Sequence, residues 1–175
     1  MTRFARRMLG ASLLDAHVYE EVEADRGANW QAFAVVVLSG AALGVGGIAN
    51  SGWQGIPLQA LAAIATWLAW ASATYLIGTR LLPGPETQAD LGQLTRTIGF
   101  SGAPGILRIF MLVPDLAFGV LVVCTLWELV AMVVAVRQAL DYAGTARALA
   151  VCAIPFPLYV LPLLASILAL GPWPL

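Results

Sequence analysis

Leu116-Ala-Phe-Gly-Val-Leu-Val-Val-Cys-Thr-Leu-Trp-Glu-Leu-Val-Ala-Met-Val-Val-Ala-Val136 carries a single charged side chain, Glu128. A helix needs about 20 predominantly apolar residues to cross a bilayer, and this stretch supplies them. The rest of the chain extends the pattern. Of its 175 residues, 60% are apolar and 11% are charged, against about 45–50% and about 25% in soluble domains. A soluble fold this small lacks the interior to hide so much apolar surface, whereas lipid accepts an apolar helix face directly. The sequence therefore predicts an all-α membrane protein.

Working toward the N-terminus, Phe100 to Leu140 is too long for one span, and Pro104 and Pro114 divide it. We expect a third span over residues 100–113, a bend at Pro114-Asp115 and a fourth span over 116–136. A helix of about 12 residues rises only about 18 Å. The third span must then extend back through Thr97, or it is kinked or re-entrant. Leu91, Leu94 and Ile98 form an apolar stripe, as in a short interfacial helix, with Thr87 as its expected cap. Spans at 30–48 and 58–78 precede it, separated by the turn-forming Asn50-Ser-Gly-Trp-Gln-Gly-Ile-Pro57. Pro83-Gly84-Pro85 stops the second. A fifth span at 148–170 contains Pro155, Pro157 and Pro162 and should be kinked.

Residues 1–29 form a separate, cytosolic segment ahead of a 30–175 bundle. Phe4, Met8, Leu13 or Leu14, Val18 and Val22 recur at roughly helical steps, which predicts an amphipathic helix on the membrane surface or a short helical pair. No small-residue cleavage site follows the arginine-flanked apolar run, so the segment is expected to be retained. Five spans with a cytosolic N-terminus place Arg3, Arg6, Arg7, Arg26, Arg80, Arg96, Arg137 and Arg147 on one side. The opposite loops and the C-terminus contain no arginine, as the positive-inside rule requires. A four-span layout breaks this division.

Candidate sites follow from that layout. Arg108 and Glu128 fall within spans, at an insertion cost of about 2.5–3.5 kcal/mol each. They are either a polar pocket or ion relay, or else a structural pair or a snorkelling arginine. Asp115, near the same bend, has water and a helix N-terminus as alternatives. Gly40, Gly44 and Gly47 allow close approach of a second helix, from this chain or from another copy. Trp30, Trp53 and Trp173 are placed as interfacial anchors.

His17 is the only histidine and the chain has no lysine. Histidine-rich metal sites, a Ser-His-Asp arrangement within the chain and a phosphate loop with its lysine are thus excluded. The expectation is a non-enzymatic protein without a cofactor. A formal net charge of −1 gives no nucleic-acid surface. Cys124 and Cys152 lie in apolar runs and read as packing residues.

Leu94-Thr-Arg-Thr-Ile-Gly-Phe-Ser-Gly-Ala-Pro104, followed by Pro114, Trp127, Ala135-Val-Arg-Gln-Ala-Leu140 and Thr145-Ala-Arg-Ala148, resembles prokaryotic members of the YIP1 family. Tyr19-Glu-Glu-Val-Glu-Ala-Asp25 and Tyr75-Leu-Ile-Gly-Thr-Arg80 fit the same pattern, so the resemblance spans about residues 10–155. It implies a five-span protein of the cytoplasmic (inner) membrane, its N-terminus cytosolic and its C-terminus opposite. Eukaryotic members act in early secretory traffic and contact small GTPases. This chain lacks their long N-terminal region and acidic Tyr-Gly-Pro motif, which argues against GTPase binding. The expected partners are the lipid bilayer and other membrane proteins, or a second copy. An organiser of membrane or partner proteins, an accessory subunit of a larger complex, and a small-solute or ion transporter using Arg108 and Glu128 all remain open.

Overall fold

Helix-forming runs punctuated by Gly, Pro and Asp dictate the element order. The computed structural model describes residues 1–157 together with 160, 161, 164 and 165. In chain order the helices are α1 (Arg3–Ser12), α2 (Ala16–Ala24), α3 (Asn29–Gly46), α4 (Ile48–Ser51) and α5 (Gly55–Leu76). They continue with α6 (Leu91–Ser101), α7 (Pro114–Ala139) and α8 (Thr145–Ala153). A π-helical turn, Ile77–Leu81, extends α5, and a ten-residue 3₁₀ segment, Ala103–Leu112, links α6 to α7. No strand occurs among the described residues.

Three helical stretches among the described residues are long and apolar enough to cross a membrane: Arg26–Gly46, Gly55–Leu81 and Pro114–Ala139. The first two are the expected spans at 30–48 and 58–78, with slightly shifted ends. Pro57 stands in the first turn of α5, where its missing N–H leaves no backbone bond unmade. Gly52, at φ +63°, makes the reversal before it. The third contains the expected 116–136 span and starts at Pro114 itself, a favoured first helical residue.

The expected 100–113 span is resolved into two conformations. Asp90, not Thr87, caps α6: its carboxylate accepts from Gln93 N at 2.8 Å, and Gln93 Oε1 accepts from Asp90 N in return. Thr87 instead donates its hydroxyl to Leu140 O and accepts from Gly84 N. Gly102 and Pro104 then interrupt the α-helical ladder, and the chain tightens into the 3₁₀ segment. A run of this length is uncommon, because 3₁₀ hydrogen bonds are poorly aligned. Its rise of about 2.0 Å per residue makes it longer than the α-helix expected.

Packing registers fix the arrangement. A Cβ on Gly40 would meet Ala63 Cβ at 2.7 Å, and one on Gly44 would meet Ile56 Cα at 2.5 Å, so α3 and α5 run antiparallel in close contact. Gly99 abuts Ala32, while Gly46 abuts Arg108 O and Met111. The α6–3₁₀ unit therefore runs parallel to α3, and α7 returns antiparallel beside it. The core has two main parts. Trp70, Leu94, Ile98, Val136 and Leu140 pack among α5, α6, α7 and α8. Tyr19, Val22, Val35, Phe100 and Ala135 join α1 and α2 to the bundle.

The N-terminal residues form the helical pair. Thr2 caps α1 and Asp15 caps α2, with Leu14 at φ +62° making the turn between them. Val18 fills the space over Gly10, and the buried Tyr19 hydroxyl donates to Ala11 O at 3.1 Å. Trp127 Nε1 donates to Ser12 O at 2.7 Å, pinning the end of α1 to α7. The pair is docked on the bundle. Along α5 and α7 the exterior is largely apolar: Phe118, Val123, Leu126 and Val130 of α7 and Leu58, Leu61 and Leu68 of α5 are exposed.

Candidate functional site

Arg108 and Glu128 meet inside the bundle. Arg108 Nη1 donates to Glu128 Oε1 at 2.9 Å, and Nη2 donates to Oε2. The contact is end-on and bidentate, two parallel N–H···O bonds from the two Nη atoms, an arrangement that adds geometric specificity to a charge-assisted pair. Both side chains are 6% exposed. Thr125 Oγ1, one turn before Glu128 on α7, accepts from Arg108 Nη2 at 3.2 Å. Ser39 of α3 donates to Glu128 Oε1 at 3.2 Å and accepts a longer bond from Arg108 Nη1 at 3.5 Å. Three segments thus contribute polar atoms to one buried pair.

Gly105 makes the room. A Cβ there would overlap Glu128 Oε1 and Ser39 Oγ and crowd Arg108 Nη1 at 2.8 Å. The pair borders a cavity of ≈ 120 Å³. Gln59, Thr66 and Ser101 add polar groups to its wall, while Trp67, Trp70 and Met132 supply much of the apolar lining. Since a water molecule takes about 30 Å³ in the liquid, the space suits a few waters or one small solute.

A second polar centre ties the helical pair to the bundle. Arg7 is fully buried, donating Nη2 to Asp25 at 2.7 Å, Nε to Glu21 at 3.0 Å and Nη1 to Gln31 at 2.9 Å. Arg6 and Arg3 also bridge to Glu21. Partial burial works to raise the Glu21 carboxyl, but bonds from Arg6, Arg7 and Arg3 outweigh it and hold it below its usual range. Bonds from Arg7 and from Gly27 N do the same for Asp25. Arg96 of α6 reaches across to Glu23 O at 2.5 Å and Asn29 Oδ1 at 3.2 Å. Gln93 Nε2 donates to the Glu23 carboxylate at 3.0 Å. Burial, with Asp141 close by, pushes the Glu23 carboxyl up to about 7 despite Arg96.

The remaining candidates separate by place. Asp115 is exposed in the first turn of α7, away from the Arg108–Glu128 pair. Gly40 and Gly44 face α5 of the same chain. Gly47 is the C-cap of α3, and its carbonyl accepts from Asn50 N and the Ser51 hydroxyl; Gly46 takes the packing role instead. Trp30 and Trp53 are each 79% exposed at opposite ends of α3. Trp173 lies outside the described residues. Ser39, Thr125 and Gly105 were not singled out in the sequence, since a small or hydroxyl residue in an apolar run has no periodic signal. Arg7 was seen only as one of three N-terminal arginines.

Among the described residues the geometry defines a class: a helical bundle with three apolar helices of membrane length and a buried Arg108–Glu128 ion pair. The Yip1 domain family model matches residues 15–167, most of the chain, and the protein belongs to that family. Its members are typically membrane proteins. Searches of the curated proteins and of the solved structures each returned no match.

Proposed function

We propose that this protein is a non-enzymatic, five-span protein of the prokaryotic cytoplasmic membrane that organises membrane or partner proteins at its cytosolic face. The observation that carries the topology is the parallel register of the α6–3₁₀ unit with α3. Contacts run from Gly99–Ala32 to Met111–Gly46, so the two segments occupy the same layer. Eleven α-helical and ten 3₁₀ residues rise about 36 Å in all, enough for the ~30 Å hydrocarbon core. The fifth span expected at 148–170 falls partly on residues outside those described; in this reading α8 begins it. The division of arginines supports an N-terminus on the inside.

The organising role is supported by the docked helical pair. Its polar side is presented on the arginine-rich face of the bundle, with His17 and Glu20 exposed. Thiol labelling tests the topology: single cysteines placed at 53 and 115 in a Cys124→Ala/Cys152→Ala background should label from outside, and those at 86 and 143 only from inside. Labelling of 115 from inside removes the third crossing. For the role itself, His17→Ala/Glu20→Ala should lose proteins captured in mild detergent while the bundle melts unchanged. Capture at fixed stoichiometry supports an accessory subunit.

A second reading rests on the cavity beside Arg108 and Glu128, which suits a small-solute or ion pathway. Glu128→Gln then changes a flux in proteoliposomes while the protein remains folded. No flux under any imposed gradient removes this reading.

A further inference from the structure

The nine arginines divide by what they touch. Arg3, Arg6, Arg7 and Arg108 are ion-paired, and Arg96 is buried against Glu23 O and Asn29. Arg26, Arg80, Arg137 and Arg147 are exposed, and among the described residues no carboxylate pairs with them. Arg26 stands apart, ahead of α3. The other three come from separate elements, the π turn after α5, the end of α7 and the start of α8. One residue gathers them.

That residue is Tyr142. Its hydroxyl donates to Leu82 O at 2.7 Å and Gly78 O at 3.2 Å, the carbonyls two residues to either side of Arg80. Its own carbonyl accepts from Arg137 Nε at 3.4 Å. Its ring lies beneath the Arg147 guanidinium, 5.6 Å from centroid to Cζ, a cation–π contact that fixes one face of that group. Thr87 closes the corner by bonding to Leu140 O. Tyr142 thus ties together the segments that carry these three exposed arginines. Arg147 also stands in the first turn of α8, where the helix dipole adds positive potential.

The surroundings identify the anion. Leu76 and Leu81 beside Arg80, and Leu149 beside Arg147, are 48%, 69% and 53% exposed. Apolar surface next to exposed arginines suits a ligand that is anionic at one end and hydrocarbon at the other. Glu86, Asp90 and Asp141 neighbour these elements in sequence, so an anion held here must bond the arginines directly rather than answer to the net charge of this end.

We infer that Arg80, Arg137 and Arg147, assembled around Tyr142, bind the phosphate ester of an anionic phospholipid headgroup at the membrane surface. The inference rests on α5 and α7 crossing the bilayer, as proposed above. A polybasic cluster of this kind gains attraction for anionic lipid with each arginine it holds near the surface.

The test uses the full chain in mixed phosphatidylglycerol–phosphatidylcholine micelles, with bound lipid counted by native mass spectrometry. The wild-type protein should retain phosphatidylglycerol over phosphatidylcholine. Arg80→Gln/Arg137→Gln/Arg147→Gln should lower that preference at least roughly tenfold, and Arg147→Gln alone should lower it in part. Arg26→Gln, which removes an exposed arginine outside the group bonded to Tyr142, should leave it intact. Equal loss in Arg26→Gln, or full retention in the triple variant, overturns the site. Displacement by millimolar inorganic phosphate makes it a free-phosphate site and overturns the lipid assignment. Carbonate extraction of the same proteins from membranes reports separately whether the spans are inserted.

Discussion

Arg108 and Glu128, twenty residues apart in sequence, close a bidentate ion pair between two antiparallel segments. Counting from Pro114, six residues at the 3₁₀ rise of about 2.0 Å and fourteen at the α-helical rise of about 1.5 Å put their backbones roughly 9 Å apart in depth. Side-chain direction removes the discrepancy. Every Cα–Cβ bond in a helix leans toward that helix's N-terminus. In this antiparallel arrangement Arg108 leans inward from the bend and Glu128 leans back toward it, so the two long side chains converge.

Removing one partner leaves the other charge buried. Arg108→Ala or Glu128→Ala should each lower stability by about 3–5 kcal/mol. The double variant Arg108→Met/Glu128→Leu should lose less than either single change, because no orphan charge remains. Thermal unfolding in detergent, followed by tryptophan fluorescence, measures all three. A double variant as unstable as the sum of the singles contradicts this account.

Gly105 is the position where one methyl group matters most. Its Cβ would coincide with Glu128 Oε1 and Ser39 Oγ, both held by other bonds. Gly105→Ala should therefore cost about 1–3 kcal/mol through overpacking. Gly119→Ala, on the open face of α7 with nothing within 4 Å, should be neutral or gain up to about 1 kcal/mol from helix propensity. The same melting experiment distinguishes the two.

Much of this was readable in advance for a physical reason. Long apolar runs ended by Gly and Pro locate α3, α5 and α7, because lipid or core exposure requires uniform apolarity. The pairing of Arg108 with Glu128 was only suggested, since sequence spacing carries depth but not side-chain direction. The 3₁₀ segment was missed. Gly102, Pro104 and Gly105 announce a break in the helix, yet they do not say whether the chain bends or tightens. Likewise Thr87 and Asp90 are both good caps, and the reciprocal bond with Gln93 decides between them only once the backbone is in place.

Arg7 should act as the latch of the helical pair. It is buried among Glu21, Asp25 and Gln31, and each charge-assisted bond contributes about 1.5–3 kcal/mol. Arg7→Ala should release α1 and α2 and leave α3, α5 and α7 folded. Arg7→Lys should restore little, because an ammonium cannot present the planar fork. Hydrogen exchange localises the effect: faster exchange confined to residues 3–24 is expected, and uniform acceleration along the chain argues that the pair is part of the global core.

The same docking should depend on pH in a direction set by Glu23. Burial comes first among the causes that raise its carboxyl from 4.5 to about 7; Asp141, Glu20 and Asp90 add to it and Arg96 opposes it. Between those values the docked state holds a proton that the released state has given up. Docking is then favoured in full below about pH 4.5 as far as Glu23 is concerned, and it weakens as pH rises toward 7. Glu21 and Asp25, whose carboxyls are held low, work the other way: their contribution is complete at neutral pH and fades in acid. Between about pH 5 and about pH 7 the raised carboxyl of Glu23 gives the docking equilibrium its slope. Glu23→Gln keeps an oxygen for Gln93 Nε2 and removes the ionisation. Emission from Trp127, bonded to Ser12 O, should report progressive release of the pair in the wild type and a flat response in this variant. The other five tryptophans are replaced by phenylalanine in both proteins so that Trp127 alone is read. An equal slope in both proteins assigns the titration elsewhere.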